Sequence, residues 1–478
     1  MPEGAADRAS SHSWSTLHAR KVLLTKPLES HTDSPVRQNA ATWTGSGTRQ
    51  DNTVDGVERG RLWAWIAWGV GTTLFLYGFA QRVAPSVMIG DLMRDFSASG
   101  AILGNLSAFY FYAYAGIQIP VGVLLDRWGP RRLLAGAALI SAVGSLLFST
   151  SSLLTQAYAG RLLIGIGAGV CFVAALKIAM LWLPLHRYAA IAGLTMCLGT
   201  VGGIGGQAPL AAILEFASWR DVMIWAAVFA ALCGGAIWFA ARPGESATSR
   251  ESRKSRDGIA SPALLDGLRL VLSRSQTWLL ALNLASHAGP MLSFAGLWGV
   301  AYLMARFGLE RTTAAIATSM MLVGWAVGSA VAGWVSDLLQ RRKILMIVSS
   351  LIAIVGWPVI ILAPALSPTA VVTLLFTIGF AGGAVIIGFA VANETTPSAA
   401  GGVMAGVLNT ANMTAGAALQ VLIGWLLDLG WDGRMGGGVR LYSVDTFNDA
   451  LLVYFVCGAI SLITVIFIRE TYAKRIVD

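Results

Sequence analysis

Twelve stretches of this chain are each long and apolar enough to cross a lipid bilayer, and this constrains the fold more than any motif does. A hydrocarbon core about 30 Å thick needs roughly 20 apolar residues per helix. Such runs occupy 62–89, 99–125, 133–153, 157–184, 188–216 and 221–241, then 276–305, 311–338, 344–364, 368–393, 399–429 and 448–468. With no water to bond exposed amides at that depth, each run must satisfy its own backbone, which means a helix. Composition agrees: 12% of residues are charged, against about 25% in a soluble domain. The expected fold is an all-α polytopic membrane protein with 12 transmembrane helices in two six-helix halves. A soluble enzyme is excluded on composition. The loops also carry no nucleophile–base pair, phosphate loop or metal-ligand spacing, so no enzyme activity, cofactor or metal is expected. The cysteines (Cys171, Cys197, Cys233, Cys457) all lie in apolar stretches, with no disulfide framework.

Composition shifts mark the boundaries. Residues 1–61 are polar and aperiodic and read as a disordered cytoplasmic tail without a secretory h-region, so the first hydrophobic segment must direct insertion. The halves are expected at 62–242 and 276–470, separated by a polar loop at 243–275 and followed by a short tail at 471–478. Within the loop, "SPALLDGLRLVLSR" has helical spacing suited to a membrane surface. Placing the N-terminus in the cytoplasm puts 25 Lys and Arg on inner segments and six on outer loops, so both termini are expected inside, in a plasma or inner membrane. The net charge of +9 thus reports topology, and no nucleic-acid partner is expected.

The halves echo each other. "GVLLDRWGPRR" from Gly122 and "GWVSDLLQRRK" from Gly333 align at an offset of 211, pairing Asp126 with Asp337 and Arg131 and Arg132 with Arg342 and Lys343. A parallel repeat about an axis along the membrane normal places a solute site between the halves. From these residues the chain resembles the major facilitator superfamily over about 62–470. Gly122, Asp126, Arg127, Gly129, Arg131 and Arg132 match its signature loop. The second copy is degraded, with Leu338 and Gln340 at the Arg and Gly positions. "GRLLIGIGAG" from Gly160 and "WLP" at 182–184 resemble its fourth helix, and "ASWRD" before the sixth helix is similar to it as well. The resemblance implies alternating access, with the loop (Gly122 to Arg132, and Gly333, Asp337 and Arg342 in the second copy) acting as a conformational latch. A glycine there allows close helix approach, and the arginines can bind the acid or lipid headgroups. The efflux-type fifth-helix pattern is only loosely echoed by "LGTVGGIGGQAP".

Polar residues inside the runs nominate a site. The first helix carries Tyr77 and Gln81 on a stripe with Thr73, and Arg82 beside it. A charge in hydrocarbon costs about 2.5–3.5 kcal/mol on insertion scales. The second helix presents Tyr110, Tyr114 and Gln118, and the fourth carries Arg161 and Lys177, some 160° apart on a straight helix. The seventh carries Asn283 and His287, and the eleventh Asn409, Asn412 and Gln420. His287 is the one mid-span group that titrates near neutrality. No Asp or Glu occupies the middle of a run, so a positive cavity is expected. The expected substrate is a small organic solute, anionic or zwitterionic. Organic-anion branches of the superfamily are similar in having an arginine before a proline in helix 1, here Arg82 and Pro85, and in some a second on helix 4, here Arg161. Ala168 stands where their carboxylate symporters often carry an acid, which leaves facilitated diffusion or exchange open. Drug or metabolite efflux, and a transporter-like sensor or partner-binding subunit, remain as alternatives.

Overall fold

The structure, a computed structural model, describes residues 51–184, 187–240 and 264–476. The chain separates into Met1–Asn52 and Thr53–Asp478, and the helical domain below is the second unit. The expected tail lies outside the described residues as far as position 50. From Asp51 the chain is already helical, ahead of the expected start at Leu62.

Among the described residues, twelve crossings are built from seventeen helices because several crossings are broken, and an eighteenth lies in the central loop. The first is α1 (Asp51–Val83) and α2 (Pro85–Phe96), and the second is α3 (Gly100–Ile117) with the start of α4 (Pro120–Ser149). The rest of α4 is the third crossing. The two are joined at Gly129, whose φ of 76° ends one helix before Pro130 begins the next. Then follow α5 (Leu154–Trp182), α6 and α7 (Tyr188–Gly205, Ala208–Ile213) and α8 (Trp219–Ala240). In the central loop, α9 (Leu264–Leu272) forms where an amphipathic helix was expected, with Val271 buried and Leu265 and Arg269 exposed. The second half runs α10 (Ser275–Ser293), a π-turn and α11 (Gly299–Phe307), α12 (Arg311–Leu339), α13 (Lys343–Leu362), α14 and α15 (Pro368–Gly382, Val385–Thr395), α16 (Gly401–Leu429), and α17 and α18 (Val444–Leu451, Val453–Phe467). Ten helical stretches among the described residues are apolar and long enough to span a membrane alone. The first two crossings are not among these ten, and they carry Gln81, Arg82, Tyr110, Tyr114 and Gln118. Those residues are tolerable only where protein covers them.

Both ends of the helical domain lie on one face, the termini face, with the signature loops. The halves meet at the opposite face. There Arg311 pairs with Asp91 at 3.3 Å and Thr312 donates to Glu215 at 2.7 Å. Gln207 donates to the Ala295 carbonyl at 2.6 Å and accepts from Ser319 at 3.0 Å. The second and eleventh crossings touch backbone to backbone at Gly104, where a Cβ would overlap the Gln420 carbonyl. "ASWRD" closes the same face within the first half: Trp219 and Arg220 both donate to Asp95 at 3.0 Å, and Arg220 also holds the Ser149 and Ser151 carbonyls.

Candidate functional site

Arg82 lies at the last turn of α1 and is 5% exposed. Its guanidinium carbon sits 4.2 Å from the Phe79 ring centre, 5.0 Å from that of Tyr114 and 5.9 Å from that of Tyr110. Tyr110 is held by its hydroxyl, which donates to the Gly78 carbonyl at 2.8 Å, and it stacks on Tyr114 at 6.0 Å. Three aromatic faces therefore surround the cation, each favouring it through the ring quadrupole. Its Nε has no hydrogen-bond partner. Among the described residues no carboxylate pairs with Arg82 or Arg161. A buried cation left without a counter-charge or a full set of acceptors is costly.

Arg161 flanks the other side, 5.2 Å from the Tyr110 ring centre. Its position follows from Pro85. A proline has no N–H, so the carbonyl four residues earlier, that of Gln81, loses its helical donor. Arg161 Nη1 donates to that carbonyl at 2.8 Å, and Nη2 reaches the Ser107 carbonyl at 3.5 Å. Arg161 therefore braces the kink and adds positive charge beside the cage, with two of its five donors directed to backbone and its Nε without a partner. Gln81 is buried with Oε1 unpartnered, next to this pair in sequence.

The second half approaches through α16. Asn409 donates to Gln118 Oε1 at 2.9 Å, and Gln118 donates to the Gly169 carbonyl at 3.2 Å. Asn412, one turn on, is buried with its Oδ1 unpartnered. The Gln420 side-chain amide donates to the Leu292 carbonyl at 3.1 Å and its backbone carbonyl accepts from Trp298 at 3.0 Å, while its Oε1 has no partner.

Three expected site residues are placed elsewhere. Tyr77 shares a hydrogen bond of 2.6 Å with Ser145 and stacks on Phe229, so it faces the third and sixth crossings. The i, i+4 spacing to Gln81 did not carry it into the cage, because α1 is enclosed on several sides. Asn283 donates to Ser461 and Thr464, and His287 lies between Ser461 (3.2 Å) and Ser349 (2.5 Å). Ser349 spends its one hydrogen on the Ala381 carbonyl at 2.5 Å, so it accepts from His287 Nε2–H, while Nδ1 and Ser350 Oγ (2.9 Å) both face the single hydroxyl of Ser461. The His287 ring lines a crevice of only about 10 Å³ within the second half, bordered also by Met346 and Val385. His287 and Asn283 thus tie the crossings of one half together, apart from Arg82. Lys177 likewise leaves the interior and pairs with Asp126 at 2.9 Å. Phe79 was missed, although its spacing three residues before Arg82 on the same helix was available as a signal.

Residues 70–421 match the Major Facilitator Superfamily. The chain belongs to that superfamily. It is 22% identical over 283 residues to the probable sulfoacetate transporter SauU of Cupriavidus necator, covering 57% of this chain and 65% of that one. To the probable galactarate/D-glucarate transporter GudP of Pseudomonas putida it is 24% identical, covering 73% and 82%. To the probable L-galactonate transporter of Escherichia coli it is 23% identical, covering 80% and 83%. The chain spans 65% of the length of SauU and of the rice chloroplastic probable anion transporter 4. Among solved structures it superposes on an inward-facing, occupied bacterial homologue of the human lysosomal transporter Spinster with a TM-score of 0.66 at 17% identity, covering 84% of this chain and 96% of that one. This is an integral membrane protein of the major facilitator fold.

The superfamily's signature loop makes its ion pairs within each half. In the first copy Asp126 pairs with Lys177, Arg131 donates to the Trp238 carbonyl, and Arg127 and Arg132 are exposed. In the second copy Arg342 pairs with Asp337 and with Glu394, each at 2.6 Å. Glu470 accepts from the Arg342 and Lys343 amides at 2.9 and 3.0 Å. Burial pushes the Glu470 carboxyl up, but these amides outweigh it and hold it below the usual glutamate range. A Cβ on Gly122 or Gly333 would meet nothing within 4 Å, so neither glycine sits at a close helix crossing here.

Proposed function

We propose that the chain is a secondary transporter that moves a small organic anion, carrying a carboxylate or sulfonate, by alternating access. The observation that carries this is Arg82: a buried guanidinium caged by Phe79, Tyr110 and Tyr114, with an unpartnered Nε and no carboxylate beside it. An anion entering that space would supply the missing counter-charge, and the planar fork of arginine meets two carboxylate or sulfonate oxygens at once. Arg161 strengthens the positive potential while fixing the kink that presents Arg82. Gln81 and Asn412, each with an unpartnered oxygen, offer acceptors for substrate hydroxyls. The relatives named as transporters of sulfoacetate, galactarate, D-glucarate and L-galactonate support this substrate class.

Alternating access also accounts for the glycines. Gly100 and Gly104 are in close contact at the opposite face, whereas Gly122 and Gly333 on the termini face have free space around them. Their lack of a Cβ gains a use if those loops pack tightly in a second state. With the basic bias placing the termini in the cytoplasm, the face closed at Gly100 and Gly104 is the outer one, and the signature loops engage as a latch when the conformation reverses.

The test is uptake by proteoliposomes of labelled carboxylates, sulfonates and sugar acids. At least one should accumulate against an internal pool of the same anion and be lost in Arg82→Lys. A panel in which only cations or neutral solutes move would overturn the substrate class.

A further inference from the structure

The connection between the eleventh and twelfth crossings, residues 430–443, is not a passive linker. It forms a hairpin in which Met435 pairs with Arg440 and Gly436 with Val439. The turn between them is Gly437–Gly438, with φ of 56° and 82°, the left-handed pair that a tight two-residue turn requires. The hairpin belongs to the second half but reaches the first: Arg94, at the end of α2, donates to the Gly437 carbonyl at 3.2 Å. Below it Asp428, at the end of α16, crosses the same boundary. Its Oδ1 accepts from the Gly100 amide at 3.0 Å and its Oδ2 from the Ala101 amide at 2.8 Å. These are the first free amides of α3, where the helix dipole favours an anion.

The same carboxylate is also held by its own half. Tyr442 donates to Asp428 at 2.6 Å and Arg440 at 3.2 Å, with the Arg440 guanidinium 4.3 Å from the Trp431 ring centre. Gly100 permits the approach, since a Cβ there would stand 2.8 Å from the Gly424 carbonyl and 2.9 Å from the Tyr442 hydroxyl. Asp428 thus has two sets of partners. One set stays with it when the halves separate, and the other is lost.

We propose that the 430–443 hairpin and Asp428 form a gate strap on the opposite face, and that docking of this carboxylate on α3 sets the balance between the conformation described here and the one open on that face. Arg440 and Tyr442 keep the acid paired after release, so the strap can let go without stranding a charge. This rests on the alternating-access reading.

The test measures the distance across the opposite face by spin labels at Ser152→Cys and Ala365→Cys, in a Cys197→Ala background and in lipid nanodiscs. The unmodified strap should give one short distance. Asp428→Asn should raise the long-distance population about tenfold, equivalent to about 1.4 kcal/mol. Arg94→Gln and Tyr442→Phe should give smaller shifts in the same direction. Should Asp428→Asn fail to reach the membrane folded, the latter two variants carry the test. Distributions unchanged from the parent in the folded variants overturn the strap, whatever the flux. If the distances shift but no anion is moved by the parent protein, the strap stands and the transport reading fails.

Discussion

Arg82 shows at the scale of one residue how a charge can be read from sequence while its purpose depends on neighbours. Its cost in hydrocarbon marked it, and Pro85 three residues on explains the free Gln81 carbonyl that captures Arg161. Arg82→Lys keeps the charge but loses the planar fork and stacking, so anion binding should weaken tenfold or more, read by calorimetry on protein recovered folded from the membrane. Arg161→Lys should instead lower thermal stability along with affinity, since it releases the kink. His287 makes the contrary case. A histidine at mid-span is the one candidate for proton coupling, yet both of its ring nitrogens are engaged, by Ser349 and Ser461. His287→Gln should therefore leave the pH profile of uptake parallel to that of the parent protein while reducing stability. An abolished pH response would restore it as a proton site.

At the scale of elements, chemistry collects where helices break. Pro85 kinks the first crossing at the cage, and Pro290 precedes the π-turn Phe294–Trp298 by which the seventh crossing packs at the opposite face. Gly104 lets the second and eleventh crossings meet. Gly104→Leu should separate them and lower the midpoint of thermal unfolding, because the Gln420 backbone cannot move aside as a side chain could. The end of the chain is an element too. Glu470 caps the start of α13, Thr471 donates to Glu394 at 2.5 Å, and the Ile476 amide donates to the Glu394 carbonyl at 2.8 Å. Because the Glu470 pKa is lowered by folding, its contribution is present above the unfolded value, about 4.3, and is lost as pH falls through the folded value. Hydrogen exchange at 470–476 should accelerate in that acidic window and already at neutral pH in Glu470→Gln.

The whole molecule is two halves joined by Arg311 and Asp91 at one face and by Asn409 and Gln118 deeper between them, and on the proposed reading its function lies in changing which face is joined. Asp126→Asn should slow flux while leaving anion affinity nearly intact, because the loop lies far from the cage and acts on the equilibrium between states. Wild-type flux in that variant would remove the latch. A reporter at Ser255, in the central loop, should react only from the cytoplasmic side, as the basic bias requires.

The apolar runs and the offset repeat were sufficient for the crossings, the two halves and the superfamily, because insertion energetics depends on local composition and is nearly independent of partners. Arg82, Tyr110 and Tyr114 were legible for the same reason, since polar groups in hydrocarbon demand protein around them. Which face of each helix meets which neighbour was not legible. Helices buried on several sides lose the single amphipathic stripe that would orient them, so Tyr77 turned to Ser145 and His287 to Ser349. Nothing in the sequence singled out Asp428 or Glu470, because their partners are distant amides brought by folding, Gly100 and Ala101 for one, Arg342 and Lys343 for the other. Those contacts join residues far apart in the chain, so only the tertiary structure could decide them.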